Sequence, residues 1–348
     1  MKHVDTEQRC KRILYAIVES YVDSAMPVGS RALSQRFRWS MSPATIRNVM
    51  ADLEEMGLIT HPHTSAGRVP TDKGYRVYVG SLLEPRHLTK EEESLISKVV
   101  SRRYEDFEGL MQNVSRAIGM ITNEVGIVLT PRLKRTVFKQ IEFIPMDSSS
   151  SRVLAVLVTG SGIVRNSLLE LEEDLTKAEL FRMSEFLNQE LEGLFLGDIK
   201  NHLTRRLLQE RDSFYAFLKK AISIFSRPGF LRAEDKMYFD GTAGLMSHPE
   251  FDDMKRARSF LKLFEEKQDI LDVFNEDMEA EGVKVHIGKE NACKHIQDFA
   301  VVTCNYKVKD RAIGALGAIG PTRMEYGKVI SAVTYLSELL GKALEDLG

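Results

Sequence analysis

Residues 42–76, SPATIRNVMADLEEMGLITHPHTSAGRVPTDKGYR, constrain this chain more than any other stretch. They open with Ser42-Pro43, an N-cap followed by a residue whose missing N–H costs nothing in the first helical turn. Ile46, Val49, Met50 and Leu53 then recur at helical spacing, and Gly57 supplies the residue type that closes helices in a left-handed conformation. Leu58, Ile59 and Thr60 read as a short strand, residues 61–68 as a loop shaped by Pro62 and Gly67, and Val69 as the returning strand. Thr71 or Asp72 caps a further helix anchored by Tyr75, Val79 and Leu82. Helix, strand, loop, strand, helix is the skeleton of a winged helix-turn-helix, in which one helix reads base edges and the loop touches the DNA backbone.

The residues upstream complete the module. Asp5 or Thr6 caps a first helix with Ile13, Leu14, Ile17, Val18, Tyr21 and Val22 on one stripe. Pro27 and Gly29 break it, and Ser30 caps a short second helix with Leu33 and Phe37 inward. On the third helix the face opposite the apolar stripe carries Ala44, Arg47, Asn48 and Ala51, with Thr45 and Asp52 at its edges. Arg pairs bidentately with guanine, Asn with adenine, and alanines let the backbone approach a thymine methyl. An ordinary solvated face more often carries Glu and Lys. The loop residues His61, His63, Thr64, Ser65 and Arg68 supply donors suited to phosphate oxygens. With Ser30, Arg31 and Ser42 at helix starts, these form the expected DNA-binding set. Three plainer readings stand beside it. The module could bind protein instead, His61 and His63 could hold a metal, and Arg47 could pair with Glu54 or Glu55. Two histidines without further ligands make a poor metal site, and i+7 and i+8 are poor spacings for an ion pair.

Charge supports the DNA reading without carrying it. Residues 1–80 hold 11 Lys/Arg against 8 Asp/Glu, a net of +3, and the remainder holds 37 against 42, a net of −5. No run approaches the ~18 consecutive apolar residues of a membrane span. The start, MKHVDTEQRCKR, has no apolar core of a signal peptide. Cys10, Cys293 and Cys304 are odd in number and scattered, which fits reduced thiols better than a disulfide framework or a zinc site.

The length of 348 residues calls for two to three domains. Residues 83–87, with Pro85, read as a linker. Thr89 and Glu92 make a capping box that opens a helical region to about residue 123, a possible spacer. Strands are expected at 125–130, 137–145, 153–159 and 163–171, with a tight turn at Gly160-Ser161-Gly162, and helices at 177–194 and 203–225. Further strands are expected at 237–239, 283–287, 299–306 and 312–319, and helices at 251–264, 269–278 and 326–347. A sheet flanked by helices makes the chain α+β.

Enzyme readings find little. Gly314, Gly317 and Gly320 are spaced GxxGxxG, but they fall inside a strand and serve sheet packing better than a phosphate. Asp310, Arg323 and Glu325 have no nucleophile or His in a recognisable arrangement, and no Walker motif, catalytic triad or metal-ligand cluster stands out.

Four stretches together resemble one family. RCKRILYAIVESYVDSAMPVGSRAL, the 42–76 run continued to VYV, HPEF at 248–251 and GPTRMEYGKVI at 320–330 are similar to the HrcA heat-inducible transcription repressors, in the same order along the whole chain. The resemblance implies a cytoplasmic homodimer binding double-stranded DNA at an inverted-repeat operator, the CIRCE element near chaperone operons. It implies activity that depends on a GroEL-type chaperonin, with no membrane and no cofactor. It also implies a winged helix-turn-helix (1–83), a GAF-like domain (84–131 and 228–348) and an inserted dimerisation domain (132–227). In that insert Phe214, Phe217, Leu218 and Ile222 form the apolar stripe expected to assemble the dimer. A repressor sensing a small metabolite through the GAF-like domain is the alternative.

Overall fold

The structure, a computed structural model, describes residues 2–37, 41–62, 67–83, 86–100, 107–146, 152–171, 175–209, 215–227, 230 and 236–346. The N-terminal module is α1 (Lys2–Ser24), α2 (Ser30–Arg36), α3 (Pro43–Glu55), β1 (Ile59–Thr60), β2 (Val69–Pro70) and α4 (Asp72–Val77), which runs on as a π-helical turn. α1 buries Ile13, Leu14, Ala16, Ile17 and Val18 against α3. Two expected caps move. Asp5 and Thr6 lie inside α1, which begins at Lys2, and α2 is preceded by Gly29, so that Ser30 is its first helical residue and is buried.

The remainder is mixed. α5 (Lys90–Val100) opens at the expected box, with Thr89 Oγ1 accepting from Glu92 N at 3.2 Å and Glu92 Oε2 from Thr89 N at 2.9 Å. α6 (Phe107–Thr122) follows, then β3 (Val125–Leu129). The helical stretch is therefore at least two helices. α6 is no spacer: Leu110, Met111, Val114, Ala117, Ile118 and Ile121 are all buried. Next come β4 (Phe138–Pro145), β5 (Arg152–Thr159), β6 (Val164–Glu170), α7 (Lys177–Leu191), α8 (Ile199–Gln209) and α9 (Tyr215–Ser226). In place of the single helix expected over 203–225, α8 and α9 are two helices that pack on each other. β4, β5 and β6 form an antiparallel meander with the expected tight turn at 160–162. Their core draws all of its buried residues from Leu133 to Phe230.

The chain ends with β7 (Met237–Asp240), α10 (Thr242–Leu245), α11 (Met254–Glu266), α12 (Gln268–Asp277), β8 (Val283–Ile287), β9 (Phe299–Val308), β10 (Arg311–Pro321) and α13 (Tyr326–Asp346). The start of the helix expected at 251 is a 3₁₀ turn, and Asp253 caps α11 by accepting from Lys255 N. The strands form an antiparallel sheet of order β7-β3-β10-β9-β8. Strand alternation gives it two apolar faces. Ala300, Val302, Cys304 and Tyr306 join the core of α6 and α13, while Phe299 and Val301 join that of α11 and α12. The first of these cores continues without a break into Ile13, Leu33, Ile46 and Leu53 of the N-terminal module.

Polar contacts reinforce that junction. Asp72 Oδ2 accepts from Lys289 N at 3.1 Å, and Arg76 bonds Glu290 and the carbonyl of Val285. Tyr75 packs on Tyr326 with ring centroids 5.8 Å apart. Arg323 donates to Glu250 at 2.6 and 3.1 Å and to the carbonyl of Val22 in α1.

The GxxGxxG glycines do serve packing. A Cβ on Gly317 would stand 2.1 Å from the carbonyl of Val302, on Gly314 2.1 Å from the Tyr306 hydroxyl, and on Gly320 1.9 Å from Glu124 Oε2. The last contact matters, because Glu124 is buried (1% exposed) and Oε2 has no hydrogen-bond partner among the described residues. Burial raises the Glu124 carboxyl well above the usual range, against the partial pull of Arg323. A folded-state pKa above the unfolded one means the native protein holds the extra proton. The stability tied to it is present below the unfolded pKa and is lost as pH rises through the folded one. Glu124→Gln should therefore raise the melting temperature at neutral pH and flatten its decline toward alkaline pH. Thermal melts of both proteins from mildly acidic to mildly alkaline pH check this; parallel curves would refute it.

Candidate nucleic-acid interface

α3 is set by its ends. Ser42 Oγ accepts from Thr45 N at 3.1 Å, Pro43 occupies the first turn, and Lys73 Nζ donates to the carbonyl of Met56 at 2.9 Å. Ile46, Val49, Met50 and Leu53 fix the helix to the module's core. Ala44, Arg47, Asn48 and Ala51 are thereby left exposed, with Thr45 half-buried at the edge, its hydroxyl 3.0 Å from that of Ser42. Arg31 and Ser42 are exposed beside them. Ser30 departs from the expected set: at 8% exposure its side chain packs inside the module.

The wing is anchored at its base. Ile59 pairs with Pro70 and Thr60 with Val69, while Arg68 and Val28 exchange backbone hydrogen bonds at 2.8 and 2.9 Å. Thr71 is the cap of α4, accepting from Gly74 N and donating to the carbonyl of Gly57. Gly74 has to be glycine, since a Cβ there would stand 2.0 Å from the carbonyl of Leu58. His63, Thr64 and Ser65 lie outside the described residues.

Glu54 is the residue that the sequence left without a role. Its Oε2 takes Arg68 Nε at 2.9 Å and a terminal nitrogen at 2.8 Å, and its Oε1 is 2.9 Å from His61 Nδ1. The carboxylate of the reading helix thus clamps both ends of the wing. Glu54 is partnered by Arg68 and His61, and no Arg47–Glu54 pair occurs among the described residues. The cue was present in the order Glu54, His61, Arg68, but it needed the hairpin to bring the wing back over α3. Arg68 is only 24% exposed at its side chain, so it is a wing anchor before it is a phosphate donor.

The remaining metal-type donors lie elsewhere. Among the described residues Asp269, Cys293 and His295 bring one ligand atom each to within 4.8 Å of one another.

The family model for "Winged helix-turn-helix transcription repressor, HrcA DNA-binding" matches residues 6–80, and that for "HrcA protein C terminal domain" matches residues 108–330. The chain belongs to the HrcA family. It is 38% identical over 341 residues to the heat-inducible transcription repressor HrcA of Geobacter sulfurreducens, covering 98% of this chain and 99% of that relative. It is 37% identical to the same repressor of Pelotomaculum thermopropionicum, with 98% and 97% covered. Its fold is similar to that of a hypothetical protein solved by crystallography at 2.2 Å, with a TM-score of 0.62, 22% identity, and 98% and 99% of the chains covered. HrcA proteins are transcription repressors, not an enzyme class, and the exposed face of α3 belongs to their DNA-binding module. No helix among the described residues is long and apolar enough to cross a membrane.

Two opposed effects make Glu54 a sharp test of the wing. Removing a carboxylate beside DNA should strengthen non-specific binding by reducing repulsion. Releasing Arg68 and His61 should cost specific binding through a misplaced wing. Glu54→Gln is therefore expected to raise affinity for random duplex and lower it for the operator, measured by anisotropy titration. A parallel change on both DNAs would show that the clamp does not position the wing.

Proposed function

We propose that this repressor binds an inverted-repeat operator of the CIRCE type near chaperone operons, as a cytoplasmic homodimer. The observation that carries the reading is the α3 face. Arg47 and Asn48 project between small residues, and among the described residues neither meets a carboxylate. Arg47 is assigned to a guanine and Asn48 to an adenine, with Ala44 and Ala51 admitting the helix to the major groove. Arg31, Ser42, Thr45, His61, His63, Thr64 and Ser65 are assigned to the backbone. Footprinting on genomic fragments tests this, together with Arg47→Ala and Asn48→Ala. Each substitution should cost ~1–3 kcal/mol on the operator and relax discrimination at its own base pair. Wild-type selectivity in both would move the reading face elsewhere.

Two-fold symmetric DNA calls for a two-fold symmetric reader. We assign dimerisation to the unit inserted at 132–227, within the GAF-like domain of 84–131 and 228–348, but to a surface other than the α9 stripe. Leu218 is 1% exposed and packs with Ala221, Ile224 and Phe225 in the unit's own core, and Ile222 packs against it. Phe214 lies outside the described residues, and Phe217 is described only as part of α9. The open face of the meander is the better surface. Ladder partners share a face, so Ile144, Leu154 and Leu168 form one row and Val158 and Val164 another, with Val156 between them. Ile144, Val164 and Leu168 are 45%, 59% and 59% exposed. Such a patch, with Arg152 and Glu170 at one end and Glu142 and Asn166 on either side of Val156, fits a self-complementary contact. Leu168→Asp should give a folded monomer by sedimentation, with weakened binding to the full repeat, whereas Leu218→Asp should fail to fold. A dimeric Leu168→Asp would discard the face.

Heat and a GroEL-type chaperonin enter through the same surface. Occupancy by a dimer falls steeply when protomers unfold, and an apolar face on a free protomer is what a chaperonin captures. Operator binding should fall on mild heating and recover with chaperonin and ATP. Binding that persists well above the growth range would favour a small metabolite as the signal.

A further inference from the structure

The cluster of Asp269, Cys293 and His295 sits on the sheet face opposite the DNA module. Asp269 is in the first turn of α12, and Cys293 and His295 flank Lys294 at the start of the 3₁₀ turn Lys294–Ile296, between β8 and β9. His295 Nδ1 is 2.9 Å from Asp269 Oδ2 and 3.8 Å from Cys293 Sγ. The sulfur and the carboxylate thus approach the same ring nitrogen. A nucleophile–base–acid relay uses opposite nitrogens of the imidazole, so this arrangement is not one. Three donors converging on one point are what a metal ion sees. Bond lengths of about 2.0–2.3 Å around tetrahedral zinc put neighbouring donors about 3.3–3.6 Å apart, and the two distances here bracket that value.

The chemistry of the set agrees. Thiolate, imidazole and carboxylate together suit a borderline-soft divalent ion and are poorly matched to calcium or magnesium, which take oxygen. Burial and the Asp269 carboxylate raise the Cys293 thiol above its ordinary range, against a partial pull from the backbone of His295 and Ile296. A bound cation would tip that balance to the thiolate. Cys293 is half-buried and His295 exposed, which leaves room for a water as fourth ligand.

We propose that Asp269, Cys293 and His295 bind one zinc ion, with water in the fourth position, and that the ion pins the N-terminus of α12 to the β8–β9 connection. On binding, the Cys293 thiol proton leaves to solvent and the imidazole carries its proton on Nε2, so affinity rises with pH. The site is independent of the DNA-binding reading, since it touches no residue of the N-terminal module.

The test uses the full-length, untagged protein stripped with a chelator and titrated with cobalt(II). One equivalent should give tetrahedral ligand-field bands and a thiolate-to-cobalt charge-transfer band, both erased by zinc. Cys293→Ser should abolish the charge-transfer band, and Asp269→Asn or His295→Gln should weaken cobalt binding by tenfold or more. Zinc should also shield Cys293 from alkylation and raise the melting temperature of the wild type but not of Cys293→Ser. Cys10 and Cys304 are buried, so the readouts report on Cys293. A wild-type titration without a charge-transfer band, or one that persists in Cys293→Ser, would overturn the site.

Discussion

Arg323 reaches from the end of β10 to α1, holding the carboxylate of Glu250 with two bonds and the carbonyl of Val22 with a third. Its side chain and that of Glu250 are 10% and 15% exposed. The pair holds the Glu250 carboxyl below the usual carboxylate range in spite of burial. Two charges this far from water are stable only with each other, and removing one partner of such a pair costs about 3–5 kcal/mol. The bond to Val22 makes this pair a statement about the whole chain, because it ties the carboxyl end of the first helix to the last turn of the central sheet. Tyr75 against Tyr326 and Arg76 against Glu290 repeat the tie from α4. The N-terminal module is therefore held, through α4 and α1, by residues 214 and 301 positions away from Arg76 and Val22 in sequence.

This junction explains why particular stretches carried the family resemblance. HPEF supplies Glu250, GPTRMEYGKVI supplies Arg323 and Tyr326, and TDKGYR supplies Asp72, Tyr75 and Arg76. Motifs that lie far apart in the chain meet in one contact region. None of these stretches announced its partners by itself, and Arg323 and Glu325 invited an enzyme reading. In the fold Arg323 is a bolt, and Glu325 pairs with Arg86 at 2.8 Å.

What the sequence made legible was whatever is local. Ser42-Pro43 at the start of α3, the capping box at Thr89 and Glu92, and the tight turn at 160–162 each act within a few residues. The exposed face of α3 was legible for the same reason, since helical projection needs no partner. Apart from the caps expected at Asp5 or Thr6 and at Ser30 and the helix start at 251, the failures are matters of partner choice. The α9 stripe announced an apolar face, but not that its own unit buries Leu218 and takes Ile222 against its core. α6 looked polar enough for a spacer, yet β3 and α13 close over it. Glu54 was weighed against Arg47, which never meets it, because its partners arrive only when the wing folds back. Asp269 and the Cys293–His295 pair are brought together by the packing of α12 on the loop before β9. No periodicity encodes that contact.

The continuous core has a thermodynamic consequence for a heat-responsive repressor. A winged helix on a flexible tether could keep its fold while the rest melted, and DNA binding would then outlast the signal. Here Ile46 and Leu53 of α3 belong to the same buried cluster as Val302, Tyr326 and Val333. Loss of the central sheet removes the surface on which α1 and α4 are seated, so the reading helix loses its support in the same transition. The meander unit has a core of its own, and Glu124 lies beneath Gly320, close to Arg323. A buried carboxyl without a hydrogen-bond partner for Oε2 weakens the sheet next to the Arg323 bolt, at the point where weakness is transmitted to α1. The fold thus seats the N-terminal module on the central sheet through one continuous core. The Arg323–Glu250 and Arg76–Glu290 pairs tie the N-terminal module to the sheet by charge, as the Glu54 clamp ties the wing to α3.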